Sequence, residues 1–284
     1  MINYKKSKQI LRISKIKISN ELLDSSKCLN RVAAENIFSR VNYPAENNAA
    51  FDGYAINSSD TKNIGKKKSK FFRIVGSLAA GTKPLVRKIK KFDTIEIMTG
   101  GIISKPFNTI IPIEQIKFYP NTKNKTAIVI SKKIKKNEHV RFKGSDYKKG
   151  QLIVRKGTII QPNHILALKT LGIKKIKVKK KINILFFSTG NEISNKELIY
   201  PWQVRNSNSH YIKNLHNNFL FNYKDGGILK DNHERLFKSQ INKMLKSNID
   251  MILTSGAVSA GKFDYVPKVV KSFKLSKYFK SVAI

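Results

Sequence analysis

A chain of 284 residues, 40% of them hydrophobic, can bury a substantial core and has room for one to three domains. No apolar run approaches the roughly 18 residues of a membrane-spanning helix, and a single cysteine, Cys28, excludes an intrachain disulfide or a cysteine-ligated zinc cluster. The net charge of +38 invites a nucleic-acid partner, but Lys far outnumbers Arg and the lysines are dispersed along the chain. Lys, Ile and Asn, whose codons are A/T-rich, are all abundant, so a nucleotide bias accounts for much of the charge. A general attraction for anionic ligands is the expectation, with no nucleic acid and no membrane as main partner. The basic N-terminus lacks a continuous apolar segment and a cleavage site, so no secretory signal is read there. Cys28 is then expected as a buried free thiol in a reduced cytoplasm.

In chain order, residues 3–40 read as helical. Ile10, Ile13, Ile16 and Ile18 mark a first amphipathic segment, and Ser19 or Asn20 can cap a second helix over 21–28 that continues through 29–37. A loop from Pro44 leads into the turn pair Asp52-Gly53 and the extended run Tyr54-Ala55-Ile56. From there to about Asn137 come short β-runs, 71–75, 94–98, 109–112 and 127–130, separated by Gly, Pro and Asn: a small β-domain. Its sharpest turns are 76–81 and 98–101. A strand within 150–157 precedes a helix over 162–171, with Pro162 in its first turn and Gly172 at its end. Residues 173–178 are extended, and Lys179-Lys180-Lys181 is the expected linker.

From Ile182 the pattern alternates. A buried strand, 182–187, breaks into Ser188-Thr189-Gly190-Asn191-Glu192. A helix over 209–217 follows the cap cluster Asn206-Ser207-Asn208. Next are a strand over 219–223, a loop at Asp225-Gly226-Gly227, a helix over 232–246 and a strand over 251–254. The second strand breaks into Ser255-Gly256-Ala257-Val258-Ser259-Ala260-Gly261, and a last helix starts at Tyr265 or Val266. Strand–helix–strand alternation implies a parallel, doubly wound sheet, and ligands on such sheets sit beyond the carboxyl ends of the strands.

Two such strand ends would make one pocket. Ser188, Thr189 and Gly190 offer hydroxyls and close backbone approach, and Ser255, Gly256, Ser259 and Gly261 offer the same, a setting suited to a phosphorylated ligand. Ordinary strand-to-helix turns have the same composition. Glu192, Asp231 and Asp264 lie just past strands or at helix starts, where they either cap helices or hold Mg²⁺ through oxygen. His139, His164, His210, His216 and His233 have no metal-like spacing. There is no phosphate-loop motif, dinucleotide fingerprint or Ser-His-Asp arrangement.

Taken in order, these stretches resemble one family, the molybdopterin molybdenumtransferases of the MoeA and gephyrin E-domain type. The similar stretches begin with Leu29-Asn30-Arg31-Val32-Ala33-Ala34-Glu35, Asp52-Gly53-Tyr54-Ala55, the turn at 76–81 and Met98-Thr99-Gly100. Val140-Arg141, the turn at 144–146, residues 188–192, Ser207-Asn208 and residues 254–264 continue the series. The resemblance implies an α/β multidomain fold. An elongated α+β dimerisation domain comes from residues 1–50 and 138–179, with a β-domain over 51–137 inserted into it. A doubly wound α/β pterin-binding domain follows over 180–284, incomplete because the chain stops at Ile284 before a Pro-Gly-Lys-Pro turn and a final small β-domain.

The resemblance also implies a reaction in molybdenum cofactor biosynthesis: molybdate enters an adenylylated molybdopterin at its dithiolene sulfurs and AMP leaves, with Mg²⁺ as cofactor. Asp52, Thr99, Glu192, Asp231 and Asp264 are the implied catalytic residues, the last three of them metal ligands. Ser188, Thr189, Gly190, Asn208, Ser255, Gly256, Ser259, Gly261, Lys277 and Lys280 are the implied binding residues. Lys280 leads the lysines, since residues 278–283 are similar to the family's strand before the missing turn. A homodimer is implied, its cleft shared so that Asp52 and Thr99 act in trans. Molybdopterin adenylyltransferase and molybdoenzymes are the implied protein partners. Asn191, Ala257 and Lys262 stand where the family favours an acid, a glycine and an acid, and Asn47 and Ala49 stand where it favours Asp and Ser. A molybdopterin-binding or scaffold protein without turnover is the alternative reading.

Overall fold

The computed structural model describes residues 1–14, 17–64, 69–84, 88–215, 219–256, 265–273, 278–279 and 281–283. The chain forms two compact units. One comprises Met1–Asn36, Arg155–Leu166 and Ile173–Ile284; the other comprises Ile37–Val154 and Ala167–Gly172.

The second unit is built on a six-stranded sheet. Its order is Thr109–Pro112, Gly53–Ile56, Asp93–Ile97, Lys70–Leu78, Ala127–Ile130 and Lys117–Tyr119. All neighbours are antiparallel except Lys70–Leu78 and Asp93–Ile97, which run parallel. Three of the four β-runs expected from sequence fall within these strands, and the fourth, 94–98, overruns Asp93–Ile97 by Met98. Side chains alternate across a strand, so Tyr54 and Ile56 enter a cluster with Phe72 and Ile128, while Ala55 enters another with Ile95, Ile97 and Ile110. Both faces of the Gly53–Ile56 strand are therefore covered, which explains why all four of its residues are buried. Gly53 is required by its partner strand: a Cβ there would lie 2.1 Å from the Ile111 carbonyl oxygen.

In the first unit the N-terminal helix is Tyr4–Ile13, capped by Asn3, whose side chain accepts from the Lys6 amide at 2.8 Å. The helix expected over 21–37 is not formed. Asn20–Asp24 is a strand that pairs antiparallel with Lys175–Lys179. The sequence Lys-Ile-Lys-Val-Lys alternates with period two, burying Ile176 and Val178, and its backbone groups recruit the earlier segment as a strand. Arg31 fastens this pairing, with its guanidinium on the Glu21 carboxylate and on the Lys179 carbonyl at 2.7 Å. Asp24 then accepts from the Ser26 amide and starts a short 3-10 turn. Cys28 is fully buried and in no disulfide, and its Sγ donates to the Asp24 carbonyl at 3.1 Å. The helix expected over 162–171 is present as Pro162–Thr170, followed by Gly172 at φ +68°.

The same unit carries a three-stranded parallel sheet in the order Phe221–Leu229, Ile182–Thr189, Met251–Ser255. The first strand in sequence is central, so the winding reverses between Ile182–Thr189 and Met251–Ser255. Leu185 and Phe187 point to one face, where helices Glu234–Leu245 and Val266–Ser272 supply Phe237, Ile241, Val266 and Val269. Phe187 meets Phe237 edge-on at 5.9 Å; burial of each ring contributes about 2–3 kcal/mol. Phe186 points to the opposite face beside Tyr223, whose hydroxyl bonds Ser209 of helix Ser207–Asn214. Helices thus cover both faces.

One expected loop is corrected. Asp225-Gly226-Gly227 lies inside strand Phe221–Leu229 as a bulge, since Phe186 pairs with Asp225 but Ser188 pairs with Ile228. Gly226 rests on the Phe187 ring, where a Cβ would come within 2.3 Å, and Gly227 takes φ +84°. The glycines that suggested a loop are what let the strand pass a phenylalanine. Among the described residues no helix is long and apolar enough to cross a membrane.

Candidate functional site

Parallel pairing sets Ser188 beside Ser255, so the two strand-end turns meet at the point where the winding reverses. The hydroxyls of the first turn face inward. Ser188 and Thr189 are 1% and 4% exposed. Ser188 Oγ donates to Asn206 Oδ1, and Asn206 Nδ2 donates to Asn195 Oδ1 at 2.9 Å. Thr189 Oγ1 donates to the Ser255 carbonyl at 2.8 Å, tying the two strand ends together. Ser255 Oγ is buried without a hydrogen-bond partner among the described residues.

The glycines have separate tasks. Gly256, at φ +111°, passes so close to Thr189 that a Cβ would sit 2.7 Å from Oγ1 and 2.8 Å from the carbonyl oxygen. Gly190, at φ +145°, gives its open side to Glu192, whose carboxylate oxygens would lie 2.4 Å from a Cβ. Exposed Glu192 therefore folds back over the turn. Asn208 is exposed in the first turn of helix Ser207–Asn214.

Asp231 joins this edge through Asn191. Asn191 Nδ2 donates to Asp231 Oδ2 at 2.7 Å, and the Asp231 amide donates back to Asn191 Oδ1 at 3.1 Å. Beside the pair, Lys230 Nζ donates to the carbonyls of Gly190, Asn191 and Ile193 at 3.3, 2.9 and 2.7 Å. Together with Asn232 and His233 these residues line a cleft of about 530 Å³. Within reach of the Asp231 charge, Tyr265 has a buried hydroxyl without a partner among the described residues. Burial, and then the negative charge of Asp231, push that phenol up to about 12.

Neither Asn191 as a partner of Asp231, nor Lys230, Asn206 and Tyr265, was legible as part of the site. The available signals were the amide inside the first turn and the Lys-Asp pair after the second strand. Ser259, Gly261, Asp264, Lys277 and Lys280 lie outside the described residues. Among the described residues no three His, Cys, Asp or Glu side chains come together as a metal-binding group.

The other unit holds a second prepared carboxylate. Asp52 Oδ1 accepts from the Thr99 amide at 2.6 Å and from Thr99 Oγ1 at 2.7 Å. The amide first, and then the hydroxyl, hold the exposed carboxyl below its usual range. The turn is braced from both sides: the Ile113 amide donates to the Asp52 carbonyl, and the Gly100 amide to the Ala49 carbonyl. Asp52 and Thr99 are therefore brought together, as the paired strands Gly53–Ile56 and Asp93–Ile97 dictate.

Comparison with known proteins covers nearly the whole chain. Residues 2–172 match the MoeA N-terminal region (domain I and II), and residues 186–282 match a probable molybdopterin binding domain. A molybdopterin molybdenumtransferase of Staphylococcus epidermidis is 30% identical over 278 residues, covering 96% of this chain and 64% of its own length. A Staphylococcus aureus protein of the same name is 28% identical over 260 residues, covering 91% and 60%. The crystal structure of a molybdopterin biosynthesis MoeA protein from Pyrococcus horikoshii superposes with a TM-score of 0.82 at 27% identity, covering 96% of this chain and 66% of that one. The chain thus spans a little under two thirds of the length of these relatives.

Proposed function

Because the chain belongs to the MoeA family, we propose that it acts in molybdenum cofactor biosynthesis, inserting molybdate into adenylylated molybdopterin with release of AMP. The observation that carries this reading is the order of the two matched regions along the chain, joined to a parallel sheet whose reversal point brings Ser188–Glu192 beside Ser255–Gly256.

The chain's own residues supply the parts the reaction needs. Without a Cβ, Gly190 and Gly256 let the two turns close on Glu192 and Thr189, which sets the strand-end edge that a phosphate would meet. The inward hydroxyls of Ser188 and Thr189 hold that backbone in place, so their contribution to binding is positional. Glu192 and Asp231 offer carboxylate oxygens at the same strand ends, the hard donors that Mg²⁺ takes, and Mg²⁺ needs only one or two of them because it keeps several waters. When bound there, Mg²⁺ would neutralise charge that develops on the pyrophosphate link. Asp264, Ser259, Gly261, Lys277 and Lys280 belong to the proposal through the family resemblance alone.

The reading extends to a homodimer in which the partner's Asp52 and Thr99 complete the cleft. Sedimentation at a monomer's rate would remove the dimer and leave the chemistry. The decisive test is incubation with adenylylated molybdopterin, Mg²⁺ and molybdate. Molybdate-dependent AMP release is expected, and its absence from correctly folded protein overturns the transferase reading.

A further inference from the structure

A loop that the strand-end site does not use joins the short parallel strands Ile193–Ser194 and Val204–Arg205. It carries Tyr200 and Trp202, whose rings lie 4.7 Å apart with planes within 2° of parallel. Both remain open to solvent, 63% and 72% exposed, although each ring covers one face of the other. Loop closure does not depend on them. The Gln203 amide donates to the Tyr200 carbonyl at 2.9 Å, the Tyr200 amide to Gln203 Oε1 at 3.2 Å, and the Arg205 guanidinium to the Glu197 carbonyl at 3.1 Å. The backbone thus holds an aromatic pair in register and leaves an outer π face in water, which a folded chain has no structural need to do.

The two ends of the same loop supply Lys196 and Arg205 to a polar cleft of about 540 Å³, lined also by Ser207 and His210. That volume is in the range of small-ligand sites. Glu197 and Asp225 also line it, but both oxygens of Asp225 are occupied, one by the Gly227 amide at 2.8 Å and one by the Ser209 hydroxyl at 3.0 Å. Lys196 and Arg205 are the groups there that can hold a phosphate, with the Glu197 carboxylate on the same lining. A flat apolar face on a loop that also supplies two cations to a polar cleft matches a planar heterocycle that carries a phosphate.

We propose that Tyr200 and Trp202 form a stacking platform for the ring of such a ligand, with its phosphate held by Arg205 and Lys196 in the cleft that the same loop helps to line. The choice between a purine nucleotide and a phosphorylated pterin as occupant rests on the transferase reading above; the platform does not.

Trp202 is the sole tryptophan of the chain, so its emission reports this site alone. Titrating the 284-residue chain with AMP, with a pterin phosphate and with inorganic phosphate is expected to quench the emission saturably for a ring-bearing ligand and not for phosphate. The stronger quencher identifies the ring. Calorimetry should show Trp202→Ala weakening binding of that ligand roughly tenfold, the effect of losing one base–aromatic stack, with Tyr200→Ala and Arg205→Gln also weaker. Emission indifferent to both ring ligands at millimolar concentration, equal quenching by phosphate, or unchanged affinity in Trp202→Ala overturns the platform. AMP release without quenching removes the platform and leaves the transferase reading. Quenching without AMP release does the reverse.

Discussion

The two prepared carboxylates of this molecule, Asp52 and Asp231, are held by different means. Asp52 takes both its donors from one residue, Thr99, and the first of them is a backbone amide that no side-chain substitution removes. Its charge is therefore secured by the turn itself. Asp231 relies on a side chain, the Asn191 amide, and that bond exists only because residue 191 carries an N–H donor. An acid at 191 would set two carboxylates against each other and call for a cation between them. One site is fixed by backbone geometry, and the other is set by the identity of a neighbour.

The largest way to break this contrast is through the backbone. Gly53→Ala places a Cβ 2.1 Å from a main-chain oxygen that cannot rotate away, and is expected to cost roughly 3 kcal/mol, the upper range for overpacking. Urea unfolding checks it; a stability equal to the parent would mean the two strands part freely. Next, Asn191→Asp is expected to lower stability by about 1 kcal/mol in Mg²⁺-free buffer, by exchanging a hydrogen bond for like-charge repulsion at a partly exposed site. Millimolar Mg²⁺ should restore the loss, and acid should relieve it, because a second carboxylate raises the pKa of the pair. Melting curves with and without Mg²⁺ test this, and no recovery would show that the edge cannot hold the ion.

A smaller effect is expected from Tyr265→Phe. It removes a buried hydroxyl that has no partner among the described residues, so stability at neutral pH should be unchanged or rise by no more than about 1 kcal/mol. The sign at high pH follows from the phenol being raised to about 12 in the fold. The unfolded chain releases the proton first, near the ordinary tyrosine value, so stability falls from there up to about pH 12. Chemical denaturation across that range should show a shallower decline for Tyr265→Phe; an identical decline places the titration elsewhere. The smallest change is Thr99→Val, which keeps the amide donor and loses the hydroxyl. The Asp52 carboxyl should rise toward, but not reach, its ordinary value, as an NMR titration of the side chain can measure.

Sequence period carried the sheets well. Strands such as 109–112 and 127–130 announce themselves because their apolar runs are short and bounded by Pro, Asn and Gly, and each forms where it was expected. The helix expected over 21–37 failed for a physical reason. Glu-Leu-Leu favours helix locally, but its strand partner, Lys175–Lys179, lies about 150 residues away and outweighs that preference. Asp225-Gly226-Gly227 misled in the opposite direction: glycine there answers to the Phe187 ring on the next strand, which composition cannot reveal. At the candidate site, the meeting of two strand ends could be read from alternation alone. Which hydroxyls face inward could not, because Ser188 and Thr189 are turned by Asn206 and Ser255, partners set by tertiary structure.

Lys230 gives the strand-end loop a property that outlasts any ligand. One ammonium group gathers three main-chain carbonyls of consecutive turns, from Gly190 to Ile193, much as a bound ion would. The loop is thereby ordered before anything arrives, so little conformational entropy is left to lose on association, and affinity depends correspondingly more on direct contacts. In a chain of net charge +38, this lysine serves as an internal fastener rather than as a lure for anions.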